Sequence, residues 1–451
     1  MRSAVVLFTR DLRVHDHPAL AAAAEGADEI VPLFVFDRAL LARFGAPNRL
    51  AFLLDSLRDL AASLRARGGT LFVREGDVVG EAVCVATEVR ADAIFVSEDV
   101  SAYAQTRERR LAGACAENGL ELRVMPGVTV IPPGEIAPEG GECYRVFTPY
   151  WRRWQETPRR ALARTPSRIA VPATLPRGRL PALGDLTRGE AAPELLAGGE
   201  TEGAKRVASF LENGVGHYDQ LHDDLPADGT SRISAYLHFG CLSPLAVAER
   251  ARGRAGAEPF IRQLCWRDFS AQLLASRPDM PKVDFRSRDD RWRTDDAGLE
   301  AWKQGRTGFP IVDAGMRQLM REGFMHNRAR LLTASFLTKD LYIDWRRGAA
   351  HFFDLLIDGD VANNIVNWQW VAGTGVDTRP GRVFNPITQA KRFDPDGDYV
   401  RRYVPELARI DGAAVHEPWK LEQQPEGYPE PILDHREAVA RLRAIHDTRG
   451  R

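Results

Sequence analysis

The sequence predicts two domains, an N-terminal α/β domain with a doubly wound parallel sheet and a C-terminal all-α domain, joined by a long connection. Short apolar runs alternate with longer helical patterns over residues 1–131. Pro, Gly, Ala and Arg dominate residues 132–203, and residues 204–451 have an almost wholly helical pattern. The chain has 451 residues, which is too long for one ordinary hydrophobic core. We therefore expect one domain on each side of the connection.

Five strands and four helices are predicted in the first domain. The apolar runs predict strands over residues 4–9, 30–36, 70–74, 93–96 and 121–125. The stretches between them predict helices over residues 18–24, 49–67, 78–89 and 106–118. This alternation implies a parallel sheet, and such sheets bind ligands beyond the carboxyl ends of their strands. No G-x-G-x-x-G motif follows the first strand, which argues against a nicotinamide dinucleotide site.

The connection and the second domain follow from local composition. VPATLPRGRLPALGD is typical of the connection, and its prolines restrict both helix and strand, so it predicts a linker. Beyond it, turn signals are sparse and β-branched runs are rare. The clearest predicted helices cover residues 260–276, 308–322, 327–344 and 349–356.

Charge and cysteine usage limit the function classes. The formal net charge is −1, so any nucleic-acid binding must come from a local basic face. The five cysteines form no C-x-x-C pair, which predicts reduced thiols and no metal site. No apolar run reaches about 18 residues, so we expect no membrane helix. The N-terminus has the pattern of a buried strand and not of a signal peptide, so a cytoplasmic protein is expected.

Two polar segments of the helical domain could bind a ligand. LIDGDVANNIVNWQW, residues 356–370, combines carboxylates and amides with two tryptophans, which suits a polar planar ligand. A surface turn explains it about as well, because D-G and N-N are common in loops. In the segment 327–345, Arg328 and Arg330 could bind phosphate or pair with a buried carboxylate such as Asp358. A solvated helix face is the plainer explanation.

Two further segments are weaker signals by themselves. DGTSRIS, residues 228–234, is a hydroxyl-rich turn opening a helix, which suits a pyrophosphate but also an ordinary N-cap. FIRQLCWRDF, residues 260–269, places Gln263, Trp266 and Arg267 within about one turn. These side chains could stack on and hydrogen-bond a base, or Trp266 could simply pack a helix.

Taken in order, these segments resemble the photolyase/cryptochrome family over nearly the whole chain. The resemblance begins at LFTRDLRVHDHPAL, residues 7–20, and continues through GRTGFPIVDAGMRQL, residues 305–319, to VHEPW, residues 415–419. The chain is most similar to bacterial class I enzymes that act on cyclobutane pyrimidine dimers. The family implies an N-terminal antenna domain, a linker and a helical FAD-binding domain. It also implies light-driven dimer repair by electron transfer from reduced FAD, UV-damaged DNA as the partner, and a monomer.

The resemblance assigns residues to FAD, which the family holds in a bent conformation. The matching positions run from the phosphates to the flavin ring: Tyr218, Thr230, Ser231, Ser234, Gln263, Arg267, Asn327, Arg330, Asp358, Asp360 and Asn364. Asn364 matches the residue that faces flavin N5, where an amide oxygen accepts the N–H of the reduced ring. An Arg330–Asp358 pair beside the ring would leave no lone buried charge.

It also assigns aromatic and basic residues. Trp368, Trp345 and Trp292 match the three tryptophans that relay electrons between flavin and surface. Two more aromatics match those that cradle a dimer flipped out of the duplex, and two arginines match contacts to the DNA backbone; these four are Trp266, Trp370, Arg328 and Arg382.

Two positions depart from the dimer-repair pattern. Gln263 stands where Glu is usual, and Leu331 stands where Met is usual. Gln hydrogen-bonds a pyrimidine but transfers no proton, so weaker repair is expected. A (6-4) photolyase is one alternative, although the pair of histidines it needs is missing from the NRARL segment at 327–331. A cryptochrome-like photoreceptor without repair is the other, and the end of the chain soon after VHEPW favours the enzyme.

A second chromophore in the antenna domain is expected from the family. Ala104 and Gln105 occupy the positions of an Asn-Glu pair typical of folate binding. Asp99, Tyr103 and Arg49 instead resemble the deazaflavin type. Hydroxydeazaflavin is therefore favoured over methenyltetrahydrofolate, and an empty pocket remains the alternative.

Overall fold

The computed structural model describes residues 1–376 and 382–447. Its five strands form one parallel sheet in the order β3-β2-β1-β4-β5. The strands are β1 Ser3–Phe8, β2 Glu29–Asp37, β3 Phe72–Gly76, β4 Ala93–Ser97 and β5 Glu121–Met125. Strand β1 is buried along its whole length, as expected for a strand covered by helices on both faces.

Five helices accompany the sheet. They are α1 Pro18–Gly26, α2 Arg38–Phe44, α3 Pro47–Arg65, α4 Val78–Glu88 and α5 Ala102–Glu117. Asp37 and Asp77 are the N-cap residues of α2 and α4, and their carboxylates accept backbone N–H groups of the first turn. The β-α alternation confirms the predicted doubly wound sheet.

The remaining elements are helical. Two short helices lie in the connection, α6 Phe147–Glu156 and α7 Leu183–Leu186. They are followed by α8 Glu200–Asn213, α9 Tyr218–Leu221, α10 Ser234–His238, α11 Pro244–Ala251, α12 Glu258–Ser276, α13 Asp296–Lys303, α14 Pro310–Glu322, α15 Asn327–Ser335, α16 Trp345–Leu355, α17 Val361–Ala372, α18 Pro386–Phe393, α19 Asp398–Tyr403 and α20 His435–Asp447. The α/β plus all-α fold class is thus confirmed.

The predicted single helix over residues 327–344 is wrong. Helix α15 ends at Ser335, a π-helical turn covers Phe336–Asp340, and Tyr342 has a left-handed backbone with φ of +57°. Two buried charged side chains explain the break. Lys339 donates to the carbonyl of Ala372 at 2.7 Å, and the carboxylate of Asp340 contacts the Nδ1 of His435 on α20. The apolar periodicity continues through the segment and therefore concealed the interruption.

Other element boundaries move for local reasons. Helix α5 begins at Ala102 and not at residue 106, because the Ser101 hydroxyl caps it at Ala104 N–H. Strand β3 starts two residues later than predicted. The connection is packed and partly helical: Tyr150 and Trp154 of α6 lie in the core. No helix within the described residues is long and apolar enough to cross a bilayer.

The two domains approach each other closely beside β1. Gly240 has a φ of +67°, and a Cβ there would lie 1.9 Å from the carbonyl oxygen of Arg10. Leu12 N–H donates to the carbonyl of Phe239 at 3.2 Å across the same boundary. Only glycine allows this approach, which places the carboxyl end of β1 against the helical domain.

Candidate functional site

Arg10 lies between two carboxylates where the domains meet. It follows β1, and its Nη1 is 3.2 Å from Asp99, which follows β4. Its Nη2 is 2.5 Å from Asp360, the N-cap residue of α17, and its Nε donates to the carbonyl of His238. Strand order reverses between β1 and β4, so this cluster occupies the crevice where open α/β sheets bind ligands.

The charges in this cluster stabilise one another. Burial opposes ionisation of Asp360, but the positive charge of Arg10 and the contact with His238 hold the pKa of Asp360 well below its ordinary value. Burial likewise disfavours the charged form of Arg10, yet Asp99 and Asp360 raise its pKa above the usual range. A small cavity against the cluster is lined also by Glu98 and Arg267, and burial raises the pKa of Glu98 to about 7.

The hydroxyl-rich turn between α9 and α10 is held in an uncommon backbone conformation. Asp228 and Arg232 have φ values of +48° and +50°. Such a backbone conformation costs about 1–3 kcal/mol per residue and persists only where neighbouring contacts hold the residue in it. Arg232 supplies that support through ion pairs with Asp228 at 2.8 Å and Glu322 at 2.9 Å. Inside the turn, Thr230 Oγ1 is buried and has no hydrogen-bond partner among the described residues.

An ion pair between partly buried Arg330 and buried Asp358 links α15 to the segment before α17. Arg330 Nη2 is 2.9 Å from Asp358 Oδ2, and Arg330 Nε donates to the carbonyl of Met325. The other carboxylate oxygen, Asp358 Oδ1, is buried and lacks a partner within the described part of the chain. The amide nitrogen of Asn364 donates to the carbonyl of Ala349 at 3.0 Å, which leaves its oxygen as an acceptor. The predicted Arg330–Asp358 pair is present.

Other predicted cofactor positions lie on α12, at the start of α9, in the hydroxyl-rich turn and at helix starts. Arg267 is in the middle of α12 and donates to the carbonyls of Val128 and Leu237. Tyr218 is buried at the start of α9, and that burial raises its pKa. Of the remaining four positions, Gln263 is exposed on α12, and the other three lie in the turn or at a helix start: Ser231, Ser234 and Asn327.

The three predicted relay tryptophans lie on neighbouring elements. Trp368 of α17 is buried and packs edge-on against Phe352 of α16, with ring centroids 4.9 Å apart. Trp345 is the first residue of α16 and is fully buried. Trp292 is only partly buried, and its ring lies 5.0 Å from that of Tyr342, three residues before Trp345. This order leads from the interior to the surface.

Predicted lesion-binding side chains are accessible on one side of the helical domain. Trp266 on α12 is 37% exposed, and Gln263, one turn before it, is exposed. Trp370 is partly buried on α17, and the guanidinium of Arg382 lies 5.1 Å from its ring centroid. Leu331 is partly buried on α15.

Arg328 is not a free cation in this structure. Its Nε is 3.2 Å from Asp223 Oδ1, and its Nη2 contacts the other carboxylate oxygen. Its guanidinium also lies 4.2 Å from the ring centroid of Phe393. A DNA phosphate would therefore share Arg328 with Asp223.

Two predicted antenna residues, Asp99 and Tyr103, follow strand β4, whereas Arg49 lies in the first turn of α3. Tyr103 donates to Asp37, the last residue of β2, at 2.5 Å. Asp99 binds Arg10, as described above. Arg49 contacts the carbonyl of Phe353 on α16. Burial lowers the pKa of Arg49 to about 10.

Three residues at or near the site have no role predicted from the sequence. A charged residue directly after the first buried strand could have indicated Arg10. Phe147, in RVFTPYWRRW, stacks on Trp266 although it belongs to the predicted linker. Trp302 is fully buried 6.1 Å from Trp368, and no local pattern distinguishes it from a core residue. Among the described residues no cluster suits a metal ion.

Comparisons with known proteins agree along the chain. A family model described as DNA photolyase matches residues 4–170, and one described as the FAD binding domain of DNA photolyase matches residues 260–447. A Streptomyces griseus protein named deoxyribodipyrimidine photo-lyase is 53% identical over 450 residues, 98% of each chain. A class III photolyase from Agrobacterium tumefaciens superposes with a TM-score of 0.94 at 32% identity, over 100% of this chain and 98% of that one. An archaeal photolyase from Sulfolobus tokodaii, solved with two FAD molecules, gives 0.88 at 30% identity, over 99% and 100%.

Proposed function

This chain belongs to the DNA photolyase and cryptochrome family, and on that premise we propose that it is a lyase that repairs cyclobutane pyrimidine dimers in DNA with light. The observation that carries the proposal is a set of polar groups with unused hydrogen-bonding capacity on α15 and at the start of α17, together with accessible tryptophans on α12 and α17. The polar groups are the Arg330–Asp358 pair and the amide oxygen of Asn364, and the tryptophans are Trp266 and Trp370. The Streptomyces griseus relative, named for this activity, supports the same assignment.

The residues fit FAD. Two buried polar atoms have no partner in the described residues. They are Thr230 Oγ1 in the hydroxyl turn and Asp358 Oδ1 beside Arg330. A pyrophosphate and the N–H edge of a flavin ring would satisfy them. When bound, FAD supplies light absorption and the electron that splits the dimer. The family model of the FAD binding domain covers residues 260–447, which include Asp358 and begin after the hydroxyl turn.

The protein side chains bind, orient and exclude water. Thr230 and Ser231 hold the phosphates, and the ion pairs of Arg232 keep their turn in shape. The Arg330–Asp358 pair would hold the polar edge of a bound flavin ring, and Asn364 Oδ1 would accept a hydrogen bond from an N–H of that ring. Trp368, Trp345 and Trp292 conduct electrons to the site from the surface.

Lesion recognition depends on α12 and α17. An intrastrand dimer disrupts stacking, so its extrusion costs less than that of a normal base. Trp266 and Trp370 flank the extruded dimer, and Gln263 donates an N–H to a pyrimidine carbonyl. Arg328 and Arg382 contact phosphates, which positions the duplex without reading sequence. One copy of the chain acts on one site, and light scattering would measure this directly.

A second chromophore, hydroxydeazaflavin, is proposed for the strand ends. Asp99, Tyr103 and Arg49 are the groups that would hold it, and they lie beside the crevice that parallel sheets use for ligands. The Sulfolobus tokodaii photolyase carries a second FAD, so occupancy by a different chromophore has a precedent in a related protein. Denaturing the purified protein and identifying the released chromophores by absorbance and mass tests this. Release of a folate alone would contradict it.

The decisive experiment uses a duplex with one cyclobutane thymine dimer. The protein, with its FAD reduced, is mixed with the duplex, and recovery of the undamaged strand is followed under blue light and in the dark. Light-dependent recovery is expected. Repair of a (6-4) lesion instead would favour that photolyase class, and photoreduction without repair of either lesion would favour a photoreceptor.

A further inference from the structure

The indole of Trp266 is stacked on the ring of Phe147. Their centroids are 3.6 Å apart and their planes differ by 4°. Phe147 is the first residue of α6, within the connection between the domains, and is 6% exposed. Trp266 belongs to α12 and is 37% exposed. One face of the indole is thus covered by the protein while the residue stays accessible to solvent.

Neighbouring side chains keep this stack in place. The ring of Phe269 meets both members edge-on, at 5.7 Å from Phe147 and 5.5 Å from Trp266. The guanidinium of Arg262 lies 5.4 Å from the centroid of Phe147. Pairs of aromatic rings prefer offset or edge-to-face arrangements. A nearly parallel pair at this distance therefore depends on its surroundings, which fix the plane of the indole.

We propose that Phe147 is a positioning residue for lesion recognition: it holds the indole of Trp266 in the plane on which an extruded pyrimidine dimer stacks. This inference rests on the proposed function. Ordering a mobile side chain when a ligand binds weakens the affinity. The stack orders Trp266 beforehand, so the damaged strand meets a rigid surface.

The consequence is selectivity for damaged DNA. Bases of an intact duplex stay paired and stacked, and they do not reach an extrahelical pocket. Their binding depends on phosphate contacts, which do not involve Phe147. Loss of the stack should therefore weaken binding to dimer-containing DNA and leave binding to the intact duplex unchanged.

The test compares F147L, F147Y and W266L with the wild-type protein, each full-length and loaded with FAD. Dissociation constants are measured in the dark for a duplex with one thymine dimer and for the same duplex without it. F147L is expected to reduce the ratio of the two affinities by about 3- to 10-fold. F147Y retains the aromatic face and is expected to keep the ratio within about twofold of wild type. FAD content and the melting midpoint monitor folding.

Each outcome decides the inference. A drop in the ratio for F147L with recovery in F147Y supports it. Equal losses on both duplexes, an unchanged ratio, or equal effects of F147L and F147Y overturn it. Should F147L lose FAD, the flexible F147M takes its place under the same criterion. An unchanged ratio in W266L would instead refute the placement of the lesion on Trp266, and with it this part of the proposed function.

Discussion

Arg10 and Asp360 are 350 positions apart in the chain, and their side chains meet at 2.5 Å. The arginine belongs to the loop after the first strand, and the aspartate starts the helix that carries Asn364 and Trp368. The α/β domain therefore supplies a counter-ion to the helical site. Domain attachment and site geometry are consequently linked through one ion pair.

Substitution R10Q should destabilise the protein. It leaves the buried carboxylate of Asp360 without its cation, and breaking such a pair costs about 3–5 kcal/mol when it is fully buried. Arg10 is 22% exposed, so we expect about 2–3 kcal/mol of lost unfolding free energy in urea melts. R38Q is the control, because the Arg38–Glu75 pair is exposed and such pairs contribute about 0–1 kcal/mol.

The effect of R10Q should depend on pH in one direction. The pKa of Asp360 lies well below its ordinary 3.8 in the folded protein. Stabilisation of the ionised form is thus present above pH 3.8 and is lost as the pH falls through the folded-state value. The difference between wild type and R10Q should be full at neutral pH and shrink in strong acid. A difference that grows on acidification would contradict the assignment.

Substitution H351Q should change how stability depends on pH. Burial lowers the pKa of His351 from 6.5 to about 4. Between these values the unfolded chain binds a proton that the folded protein excludes, so wild-type stability falls as the pH decreases. The unfolding free energy of wild type relative to H351Q should drop by roughly 1–2 kcal/mol from pH 7 to pH 5. H217Q, at an exposed histidine, should show a smaller change.

Substitution N364A should make the bound flavin harder to reduce. In the proposed function, the amide oxygen of Asn364 accepts the N–H that reduction adds to the ring, since its amide nitrogen already donates to the carbonyl of Ala349. One hydrogen bond is worth about 0.5–1.5 kcal/mol, so the two-electron midpoint potential should become more negative by roughly 10–30 mV. Spectroelectrochemical titration measures it. N367A, at an exposed amide of the same helix, should leave the potential unchanged, and an equal shift there would refute the role.

Substitutions at Gln263 should separate lesion binding from repair. Q263L removes a hydrogen bond to the pyrimidine, so affinity for dimer-containing DNA should fall about 3- to 10-fold. Q263E adds a group that transfers a proton, and the yield of repaired dimer per absorbed photon should rise above wild type. The affinity is measured relative to that for the intact duplex, and the repair yield is measured relative to that of the wild-type protein. A lower yield in Q263E would mean that glutamine is the better residue in this pocket.

Much of the site follows from sequence because it depends on local motifs. Asp358, Asp360 and Asn364 lie within seven residues, so one polar segment could be singled out, while a surface turn explained it about as well and the family resemblance assigned the roles. Arg330 and Asp358 could be paired on charge and burial arguments. The alternation of strands and helices predicts that the strands run parallel in one sheet.

The features that the sequence did not predict depend on contacts between segments that are distant in the chain. Arg10 reaches Asp360 only because Gly240 lets the domains approach. Phe147 gains a role from a helix more than a hundred residues later. The π-helical turn at Phe336–Asp340 reflects buried partners on α17 and α20, which no window of neighbouring residues contains.

The separation of Arg10 and Asp360 along the chain also imposes an order on biosynthesis. Ribosomes add about 5–20 residues per second, so Asp360 emerges roughly 20–70 s after Arg10. Asp99 is synthesised well before Asp360, and in the folded protein it pairs with Arg10 at 3.2 Å within the α/β domain. An α/β domain that forms before the helical domain would therefore already contain a carboxylate partner for Arg10.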